Sequence, residues 1–200
     1  MKLFIIILLL VTFNAQALPN KSVSEDFRTF EAFKELADQG NAFMQFQLGF
    51  MYAEGDEVLK NPKEAVRWYR KAADQGYADA QFNLGNMYLE GDGVLKDSKE
   101  AIRWYRKAAD QGHADAQFNL GLMYGNGVGV VKNPKEGVDW YRKAADQGHA
   151  DAQFNLGFAY CFGEGIPKDL KKCAYWAKKA NDGGYDASKL WEPFELWKYQ

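Results

Sequence analysis

Between Tyr77 and Gly112 the chain carries two apolar stripes of different character, divided by a glycine-rich gap. In the first, Ala80, Leu84, Met87 and Tyr88 recur at helical spacing and form one face of a helix with 3.6 residues per turn. This segment is expected to be a helix, A. In the second, Ala101, Trp104, Tyr105, Ala108 and Ala109 make a broader buried face, with Arg103, Arg106 and Lys107 turned outward or snorkelling. This is helix B. Gly91 and Gly93 close helix A, and Asp97 with Glu100 three residues on is a start signal for helix B. Asn61-Pro62-Lys63-Glu64 and Asn133-Pro134-Lys135-Glu136 repeat that signal with proline at the first helical position, where its missing N–H does no harm. Gly112 supplies a left-handed C-cap before the next helix A begins at His113-Ala114-Asp115.

The same pattern returns every 36 residues: Leu48-Gly49, Leu84-Gly85, Leu120-Gly121 and Leu156-Gly157 mark helix A, and Trp68, Trp104, Trp140 and Trp176 mark helix B. A strict period of this length predicts an all-α stack of antiparallel helix pairs, each packing mainly on its neighbours. Gly85 costs a helix interior about 1 kcal/mol relative to Ala, so its recurrence predicts a place where another helix passes too close for a side chain. The expected organisation is a signal peptide over 1–17, an extension and capping helix over 18–40, repeats over 41–76, 77–112, 113–148 and 149–184, and a C-terminal cap over 185–200. Helix A of the first repeat, with Phe43 and Met44 for Asp and Ala and with Glu57 for a loop glycine, is expected to pack somewhat differently. Gly137, replacing Ala65 and Ala101, is expected to weaken its helix by up to about 1 kcal/mol. Trp191, Phe194 and Trp197 are expected to cover the last exposed face.

The ends and the charge narrow the setting. Met1-Lys2, the uncharged run Leu3 to Phe13 and the small residues Ala15-Gln16-Ala17 read as a bacterial signal peptide cleaved after Ala17. The mature protein is then expected to be periplasmic or secreted, monomeric and without stable membrane insertion. Lys and Arg number 25 against 27 Asp and Glu, and the two signs are interspersed along the sequence. Nucleic acid is not an expected partner.

The segment ADAQFNLGNMYLEGDGVLKDSKEAIRWYRKAADQG resembles the Sel-1-like repeat family, a relative of the tetratricopeptide repeat with a longer A-to-B loop. The resemblance rests on the Leu-Gly pair, the Tyr and Gly closing helix A, the loop start Gly91-Asp92-Gly93-Val94 and the Ala-Ala near the end of helix B. It implies a right-handed superhelical solenoid that acts as an adaptor, binding a protein or peptide on its concave face. By that resemblance the groove is lined by Phe46, Phe82, Phe118 and Phe154, with a variable row of Phe50, Asn86, Leu122 and Phe158 that is expected to set specificity. The four phenylalanines fit two roles, anchors for a peptide or packing between adjacent A helices. Asn83, Asn119 and Asn155 fit either hydrogen bonding to an extended backbone or simple solvation.

Cys161 stands in the place of Leu89 and Cys173 in that of Ala101, at the end of helix A and the start of helix B. In an exported protein they read as a disulfide pinning the final hairpin, against two buried thiols. His113 and His149 occupy a turn position also filled by Tyr77 and Tyr185, so no metal site is expected. Neither a cofactor nor a catalytic arrangement is expected: the serines have no histidine at a recognisable spacing, and the recurring Glu64, Glu100 and Glu136 serve helix starts. The alternative comes from the resemblance: exported, cysteine-rich relatives have been assigned penicillin binding or weak β-lactamase activity. Those relatives carry a cysteine pair in most repeats, and this chain carries one.

Overall fold

The computed structural model describes residues 25–199, and the expected signal peptide lies outside them. A lone helix, α1 (Glu25–Asp38), precedes four helix pairs: α2 (Ala42–Glu54) with α3 (Pro62–Asp74), α4 (Ala78–Glu90) with α5 (Ser98–Asp110), α6 (Ala114–Asn126) with α7 (Pro134–Asp146), and α8 (Ala150–Phe162) with α9 (Leu170–Asp182). A short α10 (Ser188–Phe194) and a 3₁₀ turn over Leu196–Tyr199 follow. No strand occurs among the described residues. Each helix of the pairs packs on the one before and the one after it, which makes the chain an all-α solenoid with a ribbon-like core.

Local chemistry sets the boundaries. Asn61, Asp97, Asn133 and Asp169 cap the B helices by accepting backbone N–H bonds in their first turns, which satisfies donors that the helix itself leaves open. The A helices end on left-handed glycines, Gly55, Gly91, Gly127 and Gly163. The predicted faces are the buried ones: Ala80, Leu84, Met87 and Tyr88 in α4, and Ala101, Trp104, Tyr105, Ala108 and Ala109 in α5. Lys107 snorkels as expected, with Nζ 3.9 Å from the Trp104 ring centroid.

Gly85 is forced by a ring rather than a backbone, since a Cβ there would sit 2.6 Å from the Tyr105 ring. Buried glutamines supply a second seam that the apolar pattern does not reveal. Gln81 and Gln117 donate to the carbonyls of Ala73 and Ala109 in the preceding helix, both at 3.0 Å, and their Oε1 atoms accept from Gln111 and Gln147 at 2.8 and 2.7 Å. Gln45 repeats the arrangement with Ala37 and Gln75. The first repeat keeps the frame of the others, with Gln45, Leu48 and Gly49 buried where Gln81, Leu84 and Gly85 are, and differs locally where Phe43 meets the Tyr77 ring at 6.2 Å in place of the Asp79–His113 pair. At the far end Leu190 and Leu196 are buried, and Phe194 meets Phe162 edge-on at 5.0 Å. The side chains of Trp191 and Trp197, expected in the cap, lie outside the described set.

Candidate functional site

The A helices present three kinds of side chain beside the buried Leu-Gly stripe. Phe82 lies between the B-helix tyrosine of its own repeat and the turn residue of the next, with centroids 5.8 Å from Tyr105 and 4.7 Å from His113. Phe46 and Phe118 do the same with Tyr69 and Tyr77, and with Tyr141 and His149. Phe154 meets Tyr185 at 4.5 Å. All four rings are half-buried. His113 and His149 are staples between repeats: Nδ1 accepts the N–H of Ala116 or Ala152, and Nε2 faces Asp79 at 3.3 Å or Asp115 at 3.1 Å. Among the described residues no group of His, Cys, Asp and Glu could hold a metal ion.

The asparagines also have partners inside the stack. Asn83, Asn119 and Asn155 hydrogen-bond the hydroxyls of Tyr69, Tyr105 and Tyr141 in the preceding repeat. Burial pushes these three phenols up to about 12; the asparagine bond opposes that, and Glu54, Glu90 and Glu164 add to it. Tyr105 also donates to Asn86 Oδ1 at 2.6 Å, so Asn86 of the variable row is tied to its own repeat. The rest of that row is apolar: Phe50 is exposed, while Leu122 and Phe158 are half-buried. Phe158 stacks on Phe162 at 4.3 Å.

Leu122, Asn155 and Phe158 come together in one cleft of about 220 Å³ between the third and fourth repeats, with Tyr141, Gly125 and Glu164 completing its wall. Its origin is a substitution within the repeat. Gly125 stands where Leu89 packs against the core of the second repeat, and the missing isobutyl group leaves space. Gly137 faces it across the helix pair. A Cβ on Gly137 would lie 2.9 Å from the Gly121 carbonyl oxygen and 3.0 Å from the Gly125 nitrogen, so glycine here permits close approach of α6 and α7. The propensity cost expected of Gly137 thus comes with a packing reason for the glycine. In the fourth repeat the same facing positions hold the buried Cys161–Cys173 disulfide, with Cα atoms 5.2 Å apart. Tyr141, Gly125 and Glu164 line the cleft although none of them belongs to the rows expected from the sequence. The departure of Gly125 from its repeat position was the available signal.

A stack of antiparallel helix pairs joined by inter-repeat seams defines a helical-repeat solenoid. The chain belongs to the Sel1 repeat family, whose profile matches residues 42–77, 78–113, 114–149 and 150–185. Among solved structures it is similar to a protective antigen of uropathogenic Escherichia coli displaying an SLR fold, at 41% identity and a TM-score of 0.76 over 78% of this chain. It spans only 33% of that antigen's length. A Sel1 repeat protein from Oxalobacter formigenes matches at 37% identity and a TM-score of 0.69, covering 78% of this chain and 70% of that one. Cysteine-rich protein B of Helicobacter pylori shares the fold at 23% identity and a TM-score of 0.51, over 66% of this chain and 96% of its own. No significant match occurs among curated protein sequences.

Proposed function

We propose that this chain is an exported, non-enzymatic scaffold that binds a protein or peptide segment on its concave face, with the cleft between the third and fourth repeats as the anchoring point. Sel1 repeat proteins are generally protein-interaction scaffolds, and the observation that carries the finer reading is the Gly125-generated cleft. It combines apolar walls from Leu122 and Phe158 with polar groups from Tyr141, Asn155 and Glu164. Such a pocket suits one inserted side chain on an otherwise extended segment. Phe50 extends the apolar row toward the first repeat. The half-buried phenylalanines and the asparagines act mainly by fixing the groove's shape, since each already has a partner in the stack. Export is supported by the buried disulfide, which an oxidising compartment favours, and by the leader-like sequence before residue 18. No described helix is long and apolar enough to cross a membrane.

Photo-crosslinking tests the binding reading. A crosslinkable residue replacing Leu122 should give a discrete polypeptide adduct in the native host, while the same residue replacing the exposed Arg103 should not. Equal adducts at both positions would overturn it. Amino-terminal sequencing of the native protein checks the leader, with Leu18 expected as the first residue.

A further inference from the structure

The two helices of each pair differ in charge as well as in packing. The A helices, α2, α4, α6 and α8, carry no lysine or arginine, and their charged residues are Glu54, Asp79, Glu90, Asp115 and Asp151. Every lysine and arginine of the four repeats stands in a B helix or a loop. Asp79 and Asp115 are already met by His113 and His149. A segment lying along the A helices therefore finds carboxylates on them and no cation.

The same sign recurs beside the tyrosines. Glu54 and Glu90 end α2 and α4 and act on the hydroxyls of Tyr69 and Tyr105. Asn126 takes that place in the third repeat, yet Tyr141 keeps a carboxylate beside it, because Glu164 supplies one from the loop of the fourth. Glu164 is the one charged residue among those lining the cleft. It is exposed and forms no ion pair with the described residues. The cations of the adjoining segments stay outside the wall: Lys168 holds Nζ 5.4 Å from the Phe194 ring centroid, Lys172 pairs with Asp169, and Lys132 and Lys135 are exposed on either side of the α7 cap. The acidic Glu136 and Asp139 of α7 are paired with Arg106 and Arg142.

Beside the Glu164 carboxylate stand two aromatic rings, Tyr141 and Phe158, and the apolar side chains of Leu122 and Val138. Apolar walls suit an aliphatic stem, and ring faces with a carboxylate suit a cation at its end. The remaining polar groups, the Tyr141 hydroxyl and the Asn155 amide, are neutral and bonded to each other. An acidic guest would find no positive group in this wall.

We propose that the cleft takes an arginine side chain of the partner, with its stem against Leu122 and Val138 and its guanidinium between the Phe158 ring and the Glu164 carboxylate. Arginine suits the site better than lysine, because its planar head stacks on a ring and meets both carboxylate oxygens together. Recognition of this kind rests on the cleft being the anchoring point, and it adds the charge of the side chain that enters.

Small probes separate the two. The purified, disulfide-bonded protein is titrated with n-butylguanidinium, uncharged pentanamide and anionic pentanoate while the amide resonances of Leu122 and Phe158 are followed by NMR. Butylguanidinium should bind about fivefold more tightly than pentanamide, with pentanoate weakest, and raised salt should narrow the gap. Glu164→Gln should remove the preference, whereas Asp151→Asn, the same charge change at the far end of α8, should keep it. Equal binding of butylguanidinium and pentanamide, tighter binding of pentanoate, or a preference that survives Glu164→Gln or is lost in Asp151→Asn would each overturn the arginine proposal and leave the cleft as an apolar anchor. Absence of shifts with all three probes would overturn the anchoring cleft as well.

Discussion

Tyr105 is fully buried, and its hydroxyl joins Asn86 of its own repeat to Asn119 of the next. A phenol held up to about 12 in the folded chain, against about 10 when unfolded, binds its proton more tightly in the folded state. Its stabilising contribution is therefore complete below about pH 10 and falls away between about 10 and 12. Tyr69 and Tyr141 add the same slope. Urea titrations across that range should show stability dropping steeply above pH 10, with a shallower drop in Tyr105→Phe. At neutral pH that variant should lose about 1–2 kcal/mol, since it leaves two amides short of a partner. Gly137 gives a second residue-level expectation. Ordinary helix propensity favours Ala by up to about 1 kcal/mol, but the methyl must displace the α6 backbone, and overpacking of this kind costs about 1–3 kcal/mol. Thermal denaturation of Gly137→Ala should show a net loss.

At the scale of the helix pair, loops and staples explain what the repeated letters conserve and what they vary. The second loop glycine, Gly93, has φ +68°, and a side chain there would strike the Pro62 carbonyl of the preceding repeat. Glu57 holds the equivalent position with φ +60°, so the first repeat keeps the turn and bears the backbone cost of a non-glycine residue in the left-handed region. Glu57→Gly should raise stability by up to about 1 kcal/mol in a denaturant titration, with an unchanged helical signal. The Cys161–Cys173 bond closes a separation of 12 residues, and by chain entropy such a link stabilises by about 3 kcal/mol. Reduction should loosen α8 and α9 first, seen as faster amide exchange there than in α4 and α5. Uniform loosening of all pairs would count against a local staple.

For the whole molecule, the 36-residue period and the capping signals were enough to place every helix pair, because apolar spacing and end signals are local properties. Two features were not legible. Gln81 and its counterparts stand outside the apolar stripe that the periodicity picks out, yet they are buried and bonded between repeats. Gly125 and Gly137 are separated along the chain, and only the packed pair shows that they face each other and open a cleft beside Leu122 and Phe158. The residues proposed for the groove stand out in the sequence as rows, but the asparagines' bonds to Tyr69, Tyr105 and Tyr141, and the cleft beside Leu122 and Phe158, emerge only from the packed repeats. The most direct test of the scaffold account is crosslinking from position 158 in the Gly125→Leu background, which fills the cleft with the side chain that the second repeat already accommodates. The partner adduct formed in the otherwise native chain should disappear while the thermal midpoint stays the same or rises. An equally strong adduct from the filled variant would contradict the cleft as the anchoring point.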